Sequence, residues 1–129
     1  MAKSTRARLE KKLDTLWSLL VRRKYPACIV CGKTEGLNAH HCIKRKAQSK
    51  GVRWLINNGV SLCWDCHFNY VHGQRADKPW WDRYIALLDK LIPKEEQEKI
   101  IQIGNQVNKF SILDLETLAQ AFKEKLDGE

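Results

Sequence analysis

Cysteine and histidine are the residues through which this 129-residue chain could do chemistry, and they are concentrated in one stretch. Cys28-Ile-Val-Cys31, followed by Gly32, and Cys63-Trp-Asp-Cys66 are two pairs with two-residue gaps. Two such pairs can converge on one tetrahedral site, where thiolates at about 2.3 Å satisfy Zn2+ without redox chemistry. A thioredoxin-like reading accounts for only one of the pairs. The insert from Gly32 to Leu62 exceeds the roughly 15 to 20 residues of a simple zinc ribbon, so it must hold structure of its own. A structural zinc would add directly to folding, because the pairs cannot meet in the unfolded chain. The four histidines, His40, His41, His67 and His72, all lie in or just beyond that insert. A neutral imidazole can ligate a divalent ion or take a proton near pH 7. A lone histidine is more often a surface or hydrogen-bonded core residue, so it is the grouping that carries weight.

The elements that must position these residues can be read from periodicity. Leu9, Leu13, Leu16, Trp17, Leu20 and Val21 recur at helical spacing before the break at Pro26, which predicts an amphipathic helix over 4–23. Its other face carries Arg6, Arg8, Lys11, Lys12 and Arg22, available either to phosphates or to solvent. From Tyr25 to Gly73 the pattern is short and punctuated by Cys and Gly, while Trp81–Leu91, Pro93–Ile103 and Ser111–Leu126 read as three packing helices. The length suits one domain over 1–129, with a basic helix at 1–24, a zinc-stapled core at 25–75 and helices over 76–129.

The formal net charge is +8, and it is uneven: residues 1–83 carry +11 and residues 84–129 carry −3. A polyanion is the expected partner, with a merely soluble basic surface as the bland alternative. No run of about 18 apolar residues and no secretory signal is present, so the expected location is cytoplasmic, where thiols stay reduced. The arginine-rich start is like a transit peptide, but Glu10, Asp14 and the continuing periodicity favour a folded helix.

Ala39-His40-His41, then Asn57-Asn58-Gly59-Val60-Ser61-Leu62-Cys63, then Cys66-His67 is similar to the HNH endonucleases. The chain most resembles the small phage-encoded group, in which a His-His pair precedes Arg-Trp and Asn-Gly-Val and paired cysteines flank the motif. The matching stretch, Cys28 to His72, is about a third of the chain. The resemblance implies an α+β fold with a ββα-metal core on a four-cysteine zinc centre. The His pair would lie on the first strand, Asn58 in the connection or second strand, and His67 at the helix start. It implies that His41 is the general base, that His40 and His67 ligate one catalytic divalent ion (Mn2+, Ni2+, Mg2+ or Zn2+), and that Asn58 fixes the loop and orients the base. The products would be a 5′-phosphate and a 3′-hydroxyl.

Relatives place a final histidine four residues after the one following the cysteine, whereas His72 comes five after His67. On a regular helix that is about 140° off the starting face, so His72 joins the ion only if the helix bends or ends near Asn69. The unpaired Cys42, beside Ile43 in an expected strand, reads as a small buried side chain. Lys44, Arg45, Lys46, Lys50 and Arg53 follow the His pair and would pair with DNA phosphates, unless they form a solvated loop. Trp54, Trp64, Trp80, Trp81 and Tyr84 read as core rather than as a base-stacking set.

The expected activity is nicking or cutting of DNA with weak sequence preference, in the bacterial host cell if phage-encoded. The resemblance also suggests a role in phage genome packaging or processing beside a terminase. A monomer would nick, and a dimer could cut both strands. The rivals are a non-catalytic zinc-dependent DNA-binding module, which leaves the histidine set unexplained, and an adaptor with a decayed nuclease fold.

Overall fold

The computed structural model describes residues 4–43, 50–106 and 108–128. Its architecture is α+β, a two-stranded antiparallel sheet among helices. Helix α1 spans Thr5–Lys24; Ser4 caps it by accepting from the Ala7 amide, and Arg22, Arg23 and Lys24 in the last turn complement the helix dipole. Strand β1 (Leu37–His41) pairs with β2 (Gly59–Cys63), with His40 opposite Val60 and His41 opposite Gly59. Between the strands lie the four-residue turn α2 (Lys50–Arg53) and a 3-10 turn, Ile56–Asn58. A π-helical segment, Cys66–Val71, follows β2. Helices α3 (Lys78–Leu91), α4 (Lys94–Gly104) and α5 (Ile112–Asp127) complete the order.

Each face of the small sheet is covered by its own layer. Side chains alternate along a strand, and Ala39 belongs with the cluster of Leu13, Trp17 and Val21 on α1 and Leu115 and Phe122 on α5. Val60 and Leu62 belong with Tyr84 and Leu88 of α3 and Ile100 of α4. All five residues of β2 are buried as a result. Two strands alone are marginal in water, so these layers hold the ribbon in place. Helix α5 is tied to α1 a second way, because Arg23 donates from both terminal nitrogens to the Leu126 and Lys125 carbonyls at its C-terminus.

The helices occur where their periodicity places them, with one shift. Helix α3 begins at Lys78 rather than Trp81, because Asp77 caps it by accepting from the Trp80 amide and Pro79 sits in the first turn, where its missing N–H costs nothing. Trp80 and Trp81 therefore lie inside the helix, where both pack against the core that contains the cysteines. Strand β1 ends at His41, so Cys42 and Ile43 lie just beyond it. Trp64 departs from the expected core set: it is 59% exposed, because it occupies the outer side of the turn between Cys63 and Cys66. No helix among the described residues is long and apolar enough to cross a membrane.

At Gly59 the side chains of α1 press directly on the sheet. A Cβ there would lie 2.6 Å from Val21 Cγ2 and 2.7 Å from Trp17 Cζ2, both on buried side chains that cannot swing into solvent. Gly59→Ala should therefore destabilise the protein by about 1–3 kcal/mol through overpacking. Urea unfolding measures this, and a loss below about 0.5 kcal/mol would mean that α1 is not pressed onto the sheet at this point.

Candidate metal centres

The first site is made of sulphur. Cys28 and Cys31 lie on a tight turn in which the Cys28 amide donates to the Lys33 carbonyl and the Gly32 amide to the Cys28 carbonyl, with Gly32 at φ +80°. Cys63 ends β2, and Cys66 opens the π-helical segment with its amide donating to Cys63 Sγ. The four Sγ atoms all lie within 4.8 Å of one another, so together they could hold a metal ion. Zinc–sulphur bonds of about 2.3 Å give a tetrahedron with edges near about 3.8 Å, and Cys31 Sγ and Cys63 Sγ are 3.5 Å apart. The donor set and spacing fit Zn2+.

The charges need a cation. Burial opposes the Cys28 thiolate, but hydrogen bonds from the backbone of Cys31, Cys63 and Val30 outweigh it and bring this thiol down to about 7. Burial and the neighbouring sulphurs push Cys66 up. Four thiolates this close repel one another until a divalent ion neutralises them. Arg83 of α3 braces the turn by donating to the Val30 carbonyl at 2.7 Å. Cys42 stands apart from this cluster, and burial pushes its thiol up to about 12, which makes it an unreactive filler.

The second site is made of imidazoles. His40, His67 and His72 present ligand atoms that also all lie within 4.8 Å of one another. The ring centroids are 5.1 Å apart for His40–His67, 5.4 Å for His40–His72 and 4.7 Å for His67–His72. His72 joins because the helix is not a regular α-helix. Cys66–Val71 winds with i→i+5 hydrogen bonding, closed by the His72 amide donating to the His67 carbonyl at 3.0 Å. The wider winding brings positions five apart back toward one face. Gly73 permits the exit from this turn, since a Cβ there would come within 2.4 Å of the Asn69 carbonyl oxygen. His67 Nδ1 is buried with no hydrogen-bond partner among the described residues, which suits a metal-ligating nitrogen. Burial, and then the charge of His72, holds His67 below its ordinary pKa, so it is a neutral donor at pH 7. The residues fit a divalent ion.

His41, on the opposite face of β1, is fixed in both plane and tautomer. Its ring stacks on the Trp17 indole at 4.1 Å between centroids and 9° between planes. Its Nε2 lies 2.8 Å from the Arg53 carbonyl, which can only accept, so Nε2 donates there and the neutral ring has its lone pair on Nδ1. Trp17 is itself fixed, donating from Nε1 to the Leu55 carbonyl at 2.8 Å. Asp14 on α1 accepts from Arg53 Nε at 2.9 Å, Arg53 Nη2 at 2.7 Å and Trp54 Nε1 at 2.9 Å. Asn58, fully buried, accepts from the Ile43 amide through Oδ1 and donates from Nδ2 to the Val52 carbonyl. It thereby ties the end of β1 to the turn that supplies the carbonyl for His41.

His40, His41 and His72 line one cleft of about 190 Å3, together with Tyr84 and Trp81 of α3. Of the expected phosphate contacts, Lys44, Arg45 and Lys46 lie outside the described residues, and Lys50 opens α2. Arg53 is engaged by the α1 carboxylates, with Asp14 in a two-point pair and Glu10 at 3.8 Å, so its role here is to brace the turn. Sequence reading did not assign site roles to Asp14, Trp17 and Tyr84. Asp14 and Trp17 carry one signal, being three residues apart on one side of the helix beside the apolar Leu13.

Two outcomes test this geometry. Asn58→Ala strands the Ile43 amide and the Val52 carbonyl, and should cost about 2 kcal/mol or more in chemical denaturation; a neutral effect would mean that water replaces the side chain. Protein dialysed against metal-free buffer should retain one zinc, Cys63→Ser should lose it together with cooperative unfolding, and His40→Ala should keep it. Loss of that zinc in His40→Ala would contradict two separate centres.

No family model, curated protein or solved structure matches this chain.

Proposed function

We propose that the chain is an HNH-type, metal-dependent DNA endonuclease with a ββα-metal core, hydrolysing phosphodiester bonds at the histidine cleft. The observation that carries this reading is the split of two adjacent histidines. His40 joins His67 and His72 in a ligand cluster, while His41, held by a carbonyl and an indole, is among the residues that line the cleft beside it.

His40, His67 and His72 would hold the divalent ion, and imidazole donors favour Mn2+, Ni2+ or Zn2+ over Mg2+. When bound, that ion supplies positive charge to the phosphate and to the departing 3′ oxygen. His41, with Nε2–H committed to the Arg53 carbonyl, uses Nδ1 to take a proton from the attacking water. The water oxygen bonds to phosphorus as the P–O3′ bond breaks, the 3′ oxygen takes up a proton, and a 5′-phosphate and a 3′-hydroxyl result. Asn58 and Trp17 hold the base in place, and the four-cysteine centre fixes the start of the ligand-bearing turn. The exposed Arg8, Lys11 and Lys12 of α1 and the net charge of +8 suit a polyanionic substrate held through its backbone, which implies weak sequence preference. With one such histidine cluster among the described residues, a chain acting alone would nick, and a dimer could cut both strands.

Supercoiled plasmid tests the reading. With added manganese, wild type should convert it to the nicked form, and His41→Ala, folded and zinc-loaded, should be at least about a hundredfold slower. DNA binding without cleavage under manganese, nickel, magnesium or zinc would identify a binding module instead.

A further inference from the structure

Helix α3 lies outside the stretch that resembles a nuclease, yet its Tyr84 is among the residues that line the cleft. Tyr84 is 4% exposed, and its hydroxyl is buried with no hydrogen-bond partner among the described residues. Native proteins rarely leave such a group unsatisfied, because an unmade buried hydrogen bond costs about 1–3 kcal/mol. The ring is clamped as well. It stacks on Trp80 at 5.3 Å and 22°, meets Trp81 edge-on at 5.7 Å, and sits 6.5 Å from the His40 ring.

The cleft that Tyr84 lines has the character of a small anion site. Its volume of about 190 Å3 is below the roughly 300–1,000 Å3 of pockets that engulf a drug-sized ligand, so it admits a group rather than a whole nucleotide. No carboxylate is among the described residues that line it, whereas His40, His41, His72 and Tyr84 are. Groups able to donate or to ligate, unopposed by negative charge, suit a tetrahedral oxyanion.

We infer that the Tyr84 hydroxyl is an oxyanion-binding group, donating its hydrogen bond to a non-bridging oxygen of a phosphate seated beside His40 and His72. The endonuclease reading supplies the identity of that phosphate as a diester, and the binding chemistry is independent of turnover. Tyr84 would then be a substrate-contacting residue contributed by a helix that otherwise packs.

Tyr84→Phe removes the oxygen and keeps the ring. The test uses the full zinc-loaded chain with manganese, and inorganic phosphate as probe, followed through the thermal midpoint. Without phosphate the variant should be at least as stable as wild type, since it loses an unpaired buried group. With phosphate its midpoint should rise less, corresponding to binding about five- to tenfold weaker. In plasmid cleavage kcat/KM should fall by a similar factor or more, with KM raised because a ground-state contact to the phosphate is lost. Equal phosphate affinity in the two proteins, absence of phosphate binding by wild type, or a less stable free variant would each overturn the inference, the last because the hydroxyl would already be bonded. If wild type binds phosphate through Tyr84 but never cleaves plasmid, the endonuclease reading falls and the oxyanion site stands.

Discussion

Five residue pairs joined by an antiparallel ladder do not hold together in water, because a two-stranded ribbon lacks the buried area to offset the entropy of ordering its backbone. Here both faces of that ribbon are covered, one by α1 and α5 and the other by the π-helical turn, α3 and α4. The sulphur cluster closes the arrangement by joining the end of β2 to the turn at Cys28–Cys31. Most of the remaining chain can be understood as what a sheet this small requires before it can present two adjacent histidines to opposite sides.

The hold on His41 is indirect and runs through backbone. A carbonyl sets its tautomer, and that carbonyl belongs to a turn gripped from one side by Asp14 and Trp17 and from the other by Asn58. The Asn58 side chain acts by fixing residues 43 and 52. Placement by rigid neighbours of this kind is what a group that must meet a substrate at hydrogen-bonding distance needs. It also explains a buried, fully hydrogen-bonded amide in a core that could otherwise have used an apolar side chain.

Local pattern made part of this legible. The spacing of Leu13, Trp17, Leu20 and Val21 specifies the buried face of α1, the two Cys-x-x-Cys pairs specify the sulphur cluster, and strand alternation separates His40 from His41. Contacts between residues about 40 positions apart, such as Asp14 with Arg53 and Trp54, leave no periodic trace, so the brace on the turn could not be read from sequence. Composition also fails to distinguish a tryptophan in the core from one on the outside of a metal turn, which is why Trp64 was expected inside. Tyr84 looked like one more aromatic of a packing helix, because nothing local marks a hydroxyl that will find no partner.

The π-helical turn has a consequence for how such sites are recognised at all. Motifs are written as counts of residues, but what a ligand set needs is angular phase about the helix axis, and the two agree only while the hydrogen-bond register is fixed. Here the five-residue gap between His67 and His72, which a regular α-helix would turn away from one face, coincides with a backbone ring one residue larger, and the third imidazole lies with the cluster. A pattern with a rigid four-residue gap would reject this chain at the residue that completes its ligand set. Insertions inside helical ligand motifs are therefore better judged by the register that the backbone adopts than by the alignment column they disturb.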